Sequence, residues 1–233
     1  MKKFLHLCLG AFIALFITAN AFAQSFEGTL TMEVSSQSFG DKAIPMSIST
    51  KGDKSVIHID APQGSMTMIM DRSTNKMTMV MAAQKMGMEM DMKKMEEMAG
   101  KAEDKTSVKA TGESKVINGY KCELYTVSSE KGGLSNLWMT KDLPKSMTTA
   151  LMNAFKHGSM GFSRGRKSGS SAVIEELFEK GLLPIRMEST SKEGKIESSV
   201  TFLKYEQKSL DDSIFAIPTD IKIMQMPAGM GGQ

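Results

Sequence analysis

Cysteine is nearly absent. The 233-residue chain has two, Cys8 and Cys122, and Cys8 falls in an N-terminal stretch that reads as a secretory signal. Lys2 and Lys3 precede an apolar run from Leu5 to Ile17, and Ala21-Phe22-Ala23 fits the small-x-small cleavage rule. Residues 1–23 are therefore expected to be cleaved, with Gln24 opening the mature chain. Cys8 sits inside the apolar run and not at its end after small residues, which argues against a lipoprotein signal. Cleavage leaves Cys122 alone, so an intramolecular disulfide is excluded and the core must hold the fold. No later apolar run approaches the length of a membrane span, so no integral membrane segment is expected in the mature chain. The place of action is the periplasm or another exported location.

An excess of charge of one sign is missing too. Without Lys2 and Lys3, 29 basic residues become 27 against 26 acidic, a net charge of +1. Nothing in that balance favours nucleic acid or an anionic membrane surface. The basic run Arg164, Arg166, Lys167 lies among Gly and Ser and reads as a solvated loop.

Catalytic motifs are missing as well. Gly161-Phe162-Ser163-Arg164-Gly165 has the letters of a nucleophile elbow, but that motif needs a strand before it and a helix straight after. Here it sits in a Gly/Ser loop, and no histidine follows Ser163 to complete the usual order. No phosphate-cradling glycine motif, HExxH or paired-cysteine zinc site occurs. Of the histidines that survive cleavage, His58 reads as a sheet-face residue and His157 as a helix-end residue. Cys122 alternates with Leu124 and reads as a quiet, semi-buried thiol. The expectation is a non-enzymatic protein with no cofactor.

Methionine is what the chain has in quantity. Residues 66–98 hold twelve of its 23 methionines, mostly alternating with polar residues. Met66, Met68 and Met70 form one set, Met77, Met79 and Met81 a second, and Met86, Met88, Met90 and Met92 a third. Residues two apart on a strand share a face, so neighbouring strands with a thioether surface on one side are expected. Such unbranched, polarizable side chains adapt to an irregular apolar guest. They also suit Cu(I), although no histidine lies within the stretch. Core or cavity lining, a Cu(I) site, and a docking or oxidation-absorbing surface are the readings to be separated.

Strand signals dominate elsewhere. Alternating runs cover Phe26–Val34, Ile44–Thr50, Ser55–Asp60, Met66–Asp71 and Lys76–Met81, with Gly52-Asp53 and Arg72–Asn75 as turns. The spacing of Met92, Met95 and Met98 predicts a strand passing into a short helix that ends near Gly100. Ser114–Ile117 and Tyr120–Val127 flank Asn118-Gly119, a type I′ hairpin pair. Leu134–Thr140 carries the only tryptophan. Pro144 precedes an amphipathic helix with Met147, Leu151, Ala154 and Phe155 on one face. After a Gly/Ser loop, 158–170, a second helix is expected over Ser171–Lys180. It turns Val173, Ile174, Leu177 and Phe178 inward and stops at Gly181. Leu183–Ser191 and Lys195–Glu206 are the last long strands, followed by Asp211–Pro218 and a flexible tail over 221–233.

This tally gives about ten or eleven strands in consecutive hairpins, with two or three short helices. The expected fold is mainly β (α+β): a strongly curved antiparallel sheet, or unclosed half-barrel, with the helices over its concave face. It forms a single domain over residues 24–220.

The segment Lys115-Val-Ile-Asn-Gly-Tyr-Lys-Cys-Glu-Leu-Tyr-Thr-Val127, with Leu137-Trp138-Met139-Thr140-Lys141-Asp142-Leu143 after it, resembles the domain of unknown function 4412 family of exported bacterial proteins. Phe26-Glu27-Gly28, Lys51-Gly52-Asp53-Lys54, Gly181-Leu-Leu-Pro-Ile-Arg186 and Ser213-Ile214-Phe215-Ala216-Ile217-Pro218 agree with it. That family is similar to periplasmic lipoprotein carriers and receptors of the LolA/LolB type. The resemblance implies an open, curved sheet whose apolar concavity is plugged by helices and accepts acyl chains, with no catalytic residues to carry over. The methionine density and the loop 158–170 depart from it.

The expected site is thus a lipid- or apolar-ligand concavity lined by Met66, Met68, Met70, Met77, Met79, Met81, Met86, Met88 and Met90. Leu151 and Phe155, with Leu177 and Phe178, serve as the lid, and glycines 158, 161, 165 and 169 as its hinge. The alternatives are a cell-envelope Cu(I) chaperone or buffer built on Met-x-Met, and a structural interaction module whose concavity its own helices fill.

Overall fold

The computed structural model describes residues 26–37, 40, 42–62, 64–94, 106–129, 134–148, 151–152, 170–191 and 194–225. The signal sequence, the Gly/Ser loop with its glycines, Phe155, His157 and most of the helices expected after Met92 and Pro144 lie outside these residues.

Two antiparallel meanders make one sheet. The first runs β1 (Gly28–Ser36), β2 (Ile44–Lys51), β3 (Lys54–Ala61), β4 (Gly64–Asp71), β5 (Lys76–Met81) and β6 (Met86–Asp91). The second runs β7 (Thr106–Ile117), β8 (Tyr120–Ser129), β9 (Leu134–Thr140), β10 (Leu183–Thr190) and β11 (Ile196–Gln207). Among the described residues they join where β1 pairs with β11, and a short β12 (Lys222–Gln225) adds to β6, giving twelve strands in the order 12-6-5-4-3-2-1-11-10-9-8-7. Every pairing is antiparallel except β12 with β6. Among the described residues the sheet ends at β12 and β7 and does not close into a barrel.

The turns follow the residues that permit them. Asn118 and Gly119 adopt φ of 49° and 84°, as a type I′ turn requires, and Gly52 adopts 56°. The one full helix among the described residues, α1 (Ser170–Glu179), stops at Gly181 (φ 75°) in a Schellman arrangement. The Leu182 N–H donates to Leu177 O at 3.0 Å and the Gly181 N–H to Phe178 O at 2.8 Å. Leu177 and Phe178 are buried, and α1 packs mainly on β7.

Strong curling is visible at the Asn-Gly hairpin. Its tip folds back across β9 and β10, where the Asn118 side-chain amide donates to Phe202 O of β11 at 2.8 Å and Tyr120 meets Phe202 edge-on at 5.8 Å. Three strand spacings would hold β8 and β11 about 14 Å apart in a flat sheet. Inward curvature gathers one continuous core, from Met70 and Met77 in the first meander to Leu137, Met187 and Phe202 in the second, with Met147, Leu151, Leu177 and Phe178 from the helical segments.

The chain end corrects one expectation. Composition predicts a flexible tail over 221–233, yet Lys222–Gln225 form β12. A Cβ on Gly87 of β6 would stand 2.5 Å from Ile223 Cδ1 and 3.0 Å from Ile221 Cγ2. The missing side chain thus makes room for two isoleucines on the outer face, beside buried Val80. A four-residue strand following Pro218 is too short to show its own periodicity, and its partner lies far away in sequence. Between β11 and β12, residues 208–221 form a strap. Lys51 Nζ donates to Leu210 O at 2.8 Å and sits 3.0 Å from Asp212. A 3₁₀ turn, Asp212–Phe215, leans on β3.

Candidate functional site

Strand register turns the methionine runs into a lattice. Met66 pairs with Met81, which pairs with Met86; Met68 with Met79 and then Met88; Met70 with Met77 and then Met90. Nine methionines therefore occupy a three-by-three grid on the inner face of β4, β5 and β6. The rows continue into β3 and β2 as Ile59–Met46 and Ile57–Ile48. The middle row gains a further member at the sheet edge, because Met224 of β12 pairs with Met88.

Burial is graded across the grid. Met70, Met77 and Met90 are all buried, as is Met68, whereas Met66, Met79, Met81, Met86 and Met88 are only partly covered. Met92 closes the buried side, its N–H donating to Asn75 O at 2.9 Å and its side chain entering the core. A core plug alone would bury all nine evenly. The grid instead descends from a half-open rim to a closed floor, in side chains that reshape at little cost. Leu151 is wholly buried in the same core.

The outer face is polar along β2 and β3. His58 Nδ1 lies 2.9 Å from Thr67 Oγ1 and Nε2 3.0 Å from Asp60 Oδ1, and the Ser65 hydroxyl donates to the same oxygen at 2.6 Å. The Ser65 hydrogen bond, aided by His58, holds the Asp60 carboxyl below its ordinary value. Among the described residues, no group of three or more His, Cys, Asp or Glu side chains is placed to hold a metal ion. No helix among them is long and apolar enough to cross a membrane.

Cys122 is buried completely, more deeply than its alternation suggests, and its Sγ–H donates to Tyr120 O at 3.4 Å. Burial pushes the thiol up to about 11. The folded protein should therefore resist a maleimide at pH 8 and react fully once denatured. Rapid labelling of the folded chain would contradict this placement. The folded thiol holds its proton longer than the unfolded one, so Cys122 lowers stability only as pH rises from about 9 towards 11.

Several of the recognisable motif residues make contacts that hold the sheet together. The Lys115 ammonium lies 3.7 Å above the Trp138 ring, and Asp142 Oδ2 accepts from the Lys121 N–H at 3.1 Å. Phe26 packs edge-on against Tyr205, and Glu27 Oε1 accepts from the Leu210 N–H at 2.8 Å. These contacts fasten the seam and the hairpin; none involves the grid.

The described strands thus form an open, curled β half-barrel with a half-exposed apolar inner surface. The chain belongs to the family described as a domain of unknown function (DUF4412), whose profile matches residues 26–221. No curated protein matches it. Among solved structures it is similar to an uncharacterized conserved protein from Thermus thermophilus, at 7% identity and a TM-score of 0.55, covering 87% of this chain and 92% of that one. It is also similar to the MucA/MucB complex of Pseudomonas aeruginosa (7% identity, TM-score 0.44), covering 85% of this chain and 58% of that one. A DUF1329 family protein from Desulfovibrio piger gives 11% identity and a TM-score of 0.34, with 83% and 91% covered. The first of these shows the shared fold.

Proposed function

We propose that this chain is an exported, non-enzymatic binding protein that holds a lipid or similar apolar ligand against the methionine grid. The graded burial of the nine methionines carries this reading, because it offers an apolar surface that a guest can reach and that its own core fills only in part. Concave, mostly apolar surfaces with few polar anchors are the usual form of such sites. Unbranched thioethers accommodate chains of varied shape where Leu or Val would fix one.

Purification from the native host followed by native mass spectrometry should show added lipid-sized mass. The delipidated protein should take up a fluorescent fatty acid. Met79→Glu and Met88→Glu, on the half-open part, should abolish uptake while the thermal transition persists. A clean apo spectrum together with no uptake by the parent protein would overturn the reading.

A further inference from the structure

Nothing in the linear sequence brings Met224 near the methionine runs; the parallel pairing of β12 does. That strand is held in one register by three independent contacts. The Lys222 N–H donates to Lys85 O at 3.0 Å, and the Gln225 side-chain amide donates to Glu89 Oε1 at 2.9 Å. Ile223 fills the space left by Gly87. Met224 is thereby placed opposite Met88, which is itself opposite Met79.

We propose that Met79, Met88 and Met224 form a binding site for one Cu(I) ion at the β12 edge of the sheet. Directly opposed residues on paired strands have Cβ atoms about 5 Å apart, and each methionine sulfur lies two rotatable bonds beyond its Cβ. The two outer side chains can therefore turn towards the middle one and bring three sulfurs onto a single ion. Thioethers are soft and neutral, which selects a soft monovalent ion over Zn(II) or Mg(II), whose preferred ligands are anionic or nitrogen and oxygen donors. Access follows the same row. Met224 is 38% exposed, Met79 and Met88 are partly covered, and Met68 at the inner end is buried. The ion's charge stays near water at the edge instead of entering the core. The carboxylate of Glu89 lies on the other face, engaged by Lys76 at 3.0 Å and by Gln225, so it is not one of the ligands. The site differs from a Met-x-Met motif because its ligands come from three strands. It does not depend on the apolar-ligand reading.

The test uses the full secreted chain, titrated with Cu(I) against a coloured Cu(I) chelator. One equivalent should be held, and Met224→Leu and Met88→Leu should each weaken it by about tenfold or more, the loss of one ligand in three. Leucine keeps the apolar volume, so the thermal transition should be unchanged. Met32→Leu, on a remote part of the sheet, should bind Cu(I) like the parent. The proposal is overturned if the parent cannot compete with the chelator, or if either Met224→Leu or Met88→Leu binds as tightly as the parent.

Discussion

Gly28→Ala should lower the thermal transition more than any other glycine substitution in the sheet. Gly28 has φ of 154° at the start of β1, and a Cβ there would stand 2.1 Å from the Glu206 carbonyl oxygen. The obstacle is backbone, which cannot swing aside as a side-chain end can. It lies in the pairing that joins the two meanders among the described residues, where Gly28 faces Gln207. Collision plus strain at such a position costs roughly 3 kcal/mol, or about 6–12 °C in a domain of this size. Gly64→Ala is the control, because Gly64 has φ of 130° and open space around it. It carries the conformational cost alone, about 1 kcal/mol. Equal melting shifts for the two variants would refute the seam as the weak joint.

Mild peroxide should modify Met224 quickly and leave the fold intact, whereas Met70, Met77 and Met90 should oxidise late and together with loss of the thermal transition. Their exposures, 38% against 2%, 5% and 9%, set that order. A sulfoxide is strongly polar, and burying one without a partner costs about 1–3 kcal/mol. Three in a single row would remove roughly 3–9 kcal/mol from a domain whose total stability is about 5–15. The half-covered rim, Met66, Met79, Met81, Met86 and Met88, should fall between. Peptide mapping at intervals along the melting series reads the order directly. A floor that oxidises as fast as Met224, with melting unchanged, would mean that the floor is open to solvent, and the binding reading would lose its basis.

Much of the sheet was legible because its signals are local. β5 and β9 have the boundaries expected from alternation alone, and the Asn-Gly pair and the Gly181 stop specify their own backbone angles. The methionine face followed from spacing of two. What alternation cannot supply is register between strands, so the runs read as linear Met-x-Met motifs and not as rows crossing three strands. The expected start of β7 at Ser114 fell short, since a bulge between Ala110 and Ser114 breaks the alternation and hides the first half of a strand that begins at Thr106. β12 was missed because what recruits it, a bare Gly87 on another strand, has no trace near residue 222. The family motifs, for their part, mark the joints of the sheet. They identify the fold while saying little about what the methionine grid meets.

The seam and the strap also set an order of events for a chain made from its N-terminus. The first meander consists of neighbouring hairpins and can begin to pair as it emerges, but β9 must wait for β10 across residues 141–182, β1 for β11, and β6 for residues 222–225. Until then the methionine strands stand with one edge unpaired and their apolar face uncovered, the condition in which nascent sheets associate with one another. Contacts so far apart in sequence also slow the final closure. On the opposite side of β4 and β5, Ser65, Thr67, Asp71 and Lys76 supply polar groups beside the apolar Ile69 and Val80, and the strands are short. A chain cut short before residue 222 should therefore be recognised by its tendency to aggregate, well before any loss of binding is measured.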